Sequence, residues 1–339
     1  MRYPLFPLAL LYWGVIFWRN LFYTIGFFVT HRLPCKVISV GNLSLGGTGK
    51  TPAVIYLAEL LAAGGRNVAV LSRGYGRTTS GTQLVSDGSI LAEDWRTVGD
   101  EPLLIARRLP GVPVVVDENR YRGGLYLVEK FKPSVIIMDD AFQHRRLERD
   151  LDIVLLNARD KVADHKLFPY GRLREPWFHL RRARIIFWTK TNLATPPILL
   201  RARLNRLPVP NFTSTVTVEK QLDGSVADLK IGDLNGKKVL AVSGLGDPAG
   251  FEATIAETGA RIAGHLRYPD HHDYSTAEFN DIKNEFDKTG AELVLTTEKD
   301  MLKLTALADV TALPLASLVI GFHPSTGGEQ ALLRLINRA

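Results

Sequence analysis

The stretch KVISVGNLSLGGTGKTP, residues 36–52, decides the fold. It opens on a short β-branched run, passes through a glycine-rich turn, and after Lys50 becomes apolar with helical spacing. Strand, loop and helix in that order form a cradle in which backbone amides at a helix N-terminus hold a polyphosphate. Gly46, Gly47 and Gly49 let the main chain approach the anion, with Ser44, Leu45 and Thr48 completing the loop. Lys50 is then placed to reach the β and γ phosphates, and the Thr51 hydroxyl to ligate Mg²⁺. One position departs from the general pattern G-x-x-x-x-G-K-[ST]: Ser44 stands where the first glycine is expected.

Similar runs recur on the C-terminal side of this stretch, namely NVAVLS (67–72), PVVV (113–116), SVIIM (134–138), DIVLL (152–156) and RIIFW (184–188). Near-continuous apolar strands separated by helical stretches indicate a parallel sheet covered on both faces. The expected fold is therefore α/β, a P-loop NTPase-type parallel sheet flanked by helices over residues 34–211. From 212 to 235 the pattern changes to alternating polar and apolar residues around Asp223-Gly224, which reads as a two-stranded linker ribbon. Residues 236–339 contain KKVLAVSGLGDPAGF and AELVLTTEKD, two further strand-to-helix passages, and are expected to form a smaller C-terminal α/β lobe.

The chain has 339 residues, 46% of them hydrophobic and 23% charged, enough for a sizeable core. Forty-two Lys and Arg against 35 Asp and Glu leave a net charge of +7 and favour anionic partners. Cys35 is the only cysteine, so neither an intramolecular disulfide nor a Cys-x-x-Cys or zinc-ribbon site can form. No aromatic-interleaved basic strand or recognisable module points to nucleic acid.

Residues 1–33 carry a different signal. LFPLALLYWGVIFW, residues 5–18, holds no charge, and Arg19 is the one formal charge between Leu5 and Thr30. A spanning helix wants about 20 predominantly apolar residues, and Arg19 would lie near the middle of this one. On a helix Tyr12, Arg19, Asn20 and Tyr23 gather on one side while most of the large apolar residues lie elsewhere. That pattern suits a membrane-associated helix lying in the interface, with a true span and a core helix as alternatives.

A phosphate loop needs an acidic group at the end of a neighbouring strand to hold Mg²⁺ directly or through water. VIIMDD supplies Asp139 and Asp140. Transfer to an alcohol also calls for a carboxylate that accepts the hydroxyl proton, and Asp100 in VGDEP is the first candidate. His271 and His272 lie between Asp270 and Asp273, where a carboxylate-flanked imidazole could orient such a base. Arginines at 120 and 122, 172 and 174, and 181, 182 and 184 supply planar cations suited to phosphate oxygens.

Taken together, VISVGNLSLGGTGKTP, LSRGYGR, VGDEP, DENRYRG, MDDAFQHRRLERD, LREP, PDHHDY and TTEKD resemble, in order and over nearly the whole chain, the tetraacyldisaccharide 4'-kinases of Gram-negative bacteria. Ser44 belongs to that family's form of the loop, whereas Ala141 replaces an expected glycine. The resemblance implies transfer of the ATP γ-phosphate to the 4'-hydroxyl of an acylated glucosamine disaccharide 1-phosphate, giving lipid IVA. It implies work at the cytoplasmic face of the inner membrane, with the first helix as the attachment and no obligate protein partner. Asp100 would be the base on the 4'-hydroxyl and His271 would hydrogen-bond and tune it. Arg120, Gln143 and Arg174 match positions near the nucleotide phosphates, and Thr297 to Asp300 would shape the pocket for the nucleotide base. With Asp100 and His271 in different lobes, the expectation is that the lobes must approach each other for turnover.

The rival readings are a membrane-associated P-loop GTPase or metallochaperone, and a partition-type ATPase. The first wants Asn-Lys-x-Asp, for which TTEKD offers only Thr-Glu-Lys-Asp. The second carries an additional lysine before the paired glycines, where this chain has Leu45.

Overall fold

A computed structural model describes residues 5–224, 229–307 and 313–338, with the side chains of 220–224 excluded. The strands are β1 (Lys36–Asn42), β2 (Val68–Ser72), β3 (Gln83–Ser86), β4 (Val114–Val116), β5 (Val135–Asp139), β6 (Leu151–Asn157), β7 (Ile185–Thr189), β8 (Asn211–Gly224), β9 (Lys238–Ser243), β10 (Arg261–Arg267), β11 (Leu293–Thr297) and β12 (Leu315–Pro324). The helices are α1 (Phe6–Thr24), α2 (Lys50–Ala63), α3 (Trp95–Val98), α4 (Asp100–Arg108), α5 (Arg120–Phe131), α6 (Ile198–Leu204), α7 (Pro248–Glu257), α8 (Thr276–Thr289), α9 (Glu298–Leu304) and α10 (Thr326–Arg338). All strands join one sheet in the order β10-β9-β11-β12-β8-β7-β6-β1-β5-β2-β4-β3.

Each of the apolar runs forms a strand buried along its length. Val135–Asp139 and Ile185–Thr189 are buried at every position, as expected of parallel strands covered on both faces. Neighbours pair in parallel except at β12–β8 and β3–β4, which are antiparallel. The α/β class and the helix beginning at Lys50 agree with the sequence.

The linker ribbon does not form as expected. Asp223 and Gly224 lie inside β8, opposite Ser317 and Ala316 of β12, rather than at a turn. The second arm of the ribbon falls mostly on residues 225–228, outside the described residues. Two-residue alternation signalled a strand correctly; its partner lies far along the chain, from Gly224 opposite Ala316 to Ser214 opposite Pro324, which local pattern cannot reveal.

This long strand sets the relation between the halves. β8 pairs with β7 over Asn211–Thr213, then continues past the end of β7 to pair with β12. Because β12 runs against β8, the second set of parallel strands points back toward the first. The carboxyl ends of both sets, where ligands collect in open α/β sheets, therefore face one another across a shared cleft.

Packing between β1 and the turn after β5 is tight. A Cβ on Gly41 would lie 2.6 Å from the Phe142 Cβ and 2.8 Å from its backbone nitrogen. Gly41→Ala should cost at least ~1–3 kcal/mol, as overpacking does where backbone cannot give way, and thermal unfolding measures it.

Candidate active site

The cleft has a volume of about 1270 Å³ and receives residues from both sheet halves and from α1. The phosphate loop forms its floor. Gly46 takes φ +112°, and a Cβ there would meet the Arg172 guanidinium at 2.0 Å; only glycine suits both conditions. Leu45 donates its N–H to Arg172 O at 2.7 Å, and Asn42 Nδ2 donates to Thr48 Oγ1 at 3.1 Å. Ser44 turns away from the cleft and donates to Asp160 Oδ2 at 3.1 Å, bracing the loop from beneath. Leu45, Gly46, Gly47, Thr48, Gly49, Lys50 and Thr51 all line the cleft.

The two aspartates after β5 have different surroundings. Asp140, in the left-handed region at φ +47°, accepts from Arg174 Nη1 at 2.8 and 2.9 Å and lies 3.8 Å from Lys50 Nζ. Burial raises its carboxyl, but Lys50 and Arg174 outweigh that and hold it below the ordinary range. Asp139 accepts from Ser72 at 3.0 Å through Oδ2, while its buried Oδ1 has no hydrogen-bond partner. Burial, then the negative charges of Glu101 and Asp140, push its carboxyl up to about 6. A buried carboxylate oxygen left unpartnered beside a second acid fits a cation, as does Thr51 on the same wall. Among the described residues no cluster of three His, Cys, Asp or Glu could hold a metal by itself, so such an ion would depend on nucleotide phosphate oxygens for further ligands.

Arg120 is almost wholly buried and donates to Asp117 O at 2.9 Å and Asp139 O at 3.3 Å. Burial lowers its guanidinium to about 10 against the opposing pull of Asp139 and Asp140, so it stays charged at neutral pH. Gln143 donates to Asn42 O at 2.8 Å and lines the cleft with Arg174.

Asp100 opens α4, and His271 reaches it from the loop before α8. His271 Nδ1 lies 3.0 Å from both Asp100 oxygens. His272 instead pairs with Glu278 at 2.9 Å. The side chain of Asp100 is 3% exposed, whereas that of His271 is 24% exposed and reaches the cleft. The two are already in contact across the halves, so the lobe approach expected from their positions is not needed to form the pair. Lys303 Nζ at 2.8 Å and Lys299 Nζ at 4.0 Å complete the surroundings. Burial works against the charge of Asp100, but the hydrogen bond with His271 and the two lysines hold it well below the usual carboxylate range.

Several cleft residues had no motif to mark them. Lys190, at φ +59° after β7, lines the cleft and reaches Asp247 Oδ2 at 3.3 Å, which also takes Arg159 at 2.9 Å. The abrupt end of RIIFWTK is the signal that could have found it. Within TTEKD, Thr297, Glu298 and Lys299 line the cleft, but Asp300 is structural, accepting from Gly244 N, Tyr274 Oη and Thr297 Oγ1 at 3.1, 3.0 and 2.6 Å. Arg122 pairs with Asp117 and Glu118 rather than facing the cleft.

Helix α1 docks through the side expected to be polar. Tyr12 donates to Arg174 O at 2.8 Å, and Arg19 and Asn20 reach Glu175 Oε1 at 2.9 and 3.4 Å. Of its 19 residues only Ala9, Ile16 and Asn20 are buried, leaving Leu8, Leu11, Val15 and Trp18 exposed. Among the described residues no helix is long and apolar enough to cross a membrane.

Known proteins similar to this chain match it over its full length. The chain is 38% identical to the tetraacyldisaccharide 4'-kinase of Aquifex aeolicus, covering 100% of this chain and 99% of that protein. It is also 38% identical to the namesake from Chlorobium limicola, with the same coverage. A crystal structure of LpxK from Aquifex aeolicus in complex with ATP superposes with a TM-score of 0.81, covering 99% of this chain and 98% of that one. The family model LpxK, tetraacyldisaccharide-1-P 4'-kinase, matches residues 1–337, and by that match the chain belongs to the tetraacyldisaccharide 4'-kinase family.

Proposed function

We propose that the cleft between the two sheet halves moves the γ-phosphate of ATP to the 4'-hydroxyl of an acylated glucosamine disaccharide 1-phosphate, with Asp100 and His271 as the proton-accepting pair. The activity itself, ATP-dependent phosphorylation of that hydroxyl in lipid A biosynthesis, follows from family membership, which does not favour the GTPase or metallochaperone alternative. The residue roles rest on one observation above all: the buried Asp100 contacts His271, which opens onto the cleft that holds the phosphate loop and two strand-end aspartates.

In this reading the loop amides and Lys50 hold the β and γ phosphates, and Arg120, Gln143 and Arg174 flank them. Thr51 and Asp139 would hold Mg²⁺, which would neutralise phosphate charge; Asp140 is already occupied by Arg174 and Lys50. The Asp100–His271 pair takes the proton of the acceptor hydroxyl. The apolar outer face of α1 would lie in the cytoplasmic face of the inner membrane, which brings an acylated acceptor to the Tyr12, Ile16 and Arg19 end of the cleft.

With purified protein in detergent, ATP consumption should rise strongly when tetraacyldisaccharide 1-phosphate is added, and GTP should substitute poorly. Hydrolysis at the same rate with and without the lipid would refute the proposal.

A further inference from the structure

We propose that Lys303 is a positioning residue for phosphoryl transfer, holding the Asp100 carboxylate charged and fixed in orientation. The inference rests on the reading of Asp100 and His271 as the proton-accepting pair and adds a third member from α9.

Lys303 is an unusual lysine. Its side chain is 1% exposed, and the ammonium lies 2.8 Å from Asp100 Oδ2 and 4.9 Å from the centre of the Trp95 ring. A buried ammonium is costly unless paired, and Asp100 is its close anionic neighbour. The ring of Trp95 covers it from the α3 side, as a cation–π contact does. Lys299, one turn earlier on α9, is shared among Asp100 at 4.0 Å, Glu101 at 3.2 Å and Asp270 at 3.9 Å. Lys303 is therefore the nearer cation, an ion pair by distance without an aligned hydrogen bond, and Lys299 a shared one.

The consequence for chemistry lies in what the base must do. Phosphoryl transfer leaves the protein mainly positioning and electrostatics, so a base of fixed charge and orientation serves better than a mobile, strongly basic one. His271 meets both oxygens of Asp100 from one side. Lys303 meets Oδ2 from the other half's helix, so the carboxylate cannot rotate without breaking a buried ion pair. The charged groups facing Asp100 are then His271 and Asp270 from the loop before α8, Lys299 and Lys303 from α9, and Glu101 on its own helix.

The test is the pH dependence of kcat in Lys303→Met, compared with the unaltered enzyme. An opposite charge at this range shifts a carboxyl by about 1–3 units, so the acid limb should move upward by at least about one unit, with kcat reduced and KM for ATP little changed. Should Lys303→Met not fold, Lys303→Gln, neutral but polar in the same pocket, should shift the limb in the same direction. An acid limb unmoved in whichever variant folds would overturn the proposal. Asp100→Asn keeps the two readings apart: loss of turnover there, with an unmoved limb in the lysine variants, refutes the role of Lys303 alone, whereas full turnover in Asp100→Asn refutes the base assignment itself.

Discussion

Asp100→Asn should lower kcat by about 10²–10⁴-fold, the usual contribution of a positioned general base, while leaving KM for ATP nearly unchanged. The expectation of unchanged ATP binding comes from separation: Asp100 does not line the cleft, and the loop, Lys50 and Asp140 are arranged independently of it. Asparagine preserves shape and can still meet His271, so the variant removes charge more than structure. It does leave Lys303 buried without its counter-ion, so unfolding should be followed alongside steady-state kinetics. A folded Asp100→Asn protein with full turnover would remove this residue from the reaction.

The second large effect is structural. Glu175→Ala should destabilise the protein by about 3–5 kcal/mol, the cost of removing one partner from a buried charge network. Glu175 is fully buried and accepts from Arg19 at 2.9 Å, Arg182 at 2.5 Å and His179 at 3.0 Å. Burial opposes its charge, yet the His179 hydrogen bond and the charges of Arg182 and Arg19 hold its carboxyl down at about 2, against an ordinary 4.5. A depressed carboxyl stabilises the fold fully above about 4.5 and loses that contribution as pH falls toward about 2. Loss of α1 docking should therefore accompany acidification through that window in the unaltered chain and be present at neutral pH in Glu175→Ala. Thermal unfolding and fluorescence of Trp13 and Trp18 report the two events.

LREP illustrates what a motif can and cannot convey. Its arginine was assigned to the nucleotide phosphates, and Arg174 does reach the strand-end acid Asp140. Its glutamate carried no expectation, yet Glu175 holds the first helix to the core, because an ion pair 156 residues apart leaves no local trace. The parallel strands were legible since burial on both faces imposes an apolar run. The phosphate loop was legible since its chemistry demands glycine at close spacing. Asp100 and the His271–His272 pair were each legible as candidates, but the pairing of Asp100 with His271 could be read only through the resemblance, as nothing near Asp100 points to it. Lys303 and Lys190 escaped for the same reason: their partners come from the other sheet half. The ribbon around residue 223 failed because alternation specifies a strand but not its neighbour, and β12 is that neighbour.

The most direct test follows the γ-phosphate itself. The protein is given ATP labelled at that position and tetraacyldisaccharide 1-phosphate, and the lipid product is examined by mass spectrometry and by phosphorus NMR. One added phosphate, labelled and attached at the 4' oxygen, is the result expected for this cleft. Label recovered only as inorganic phosphate, with the lipid unchanged, would contradict it.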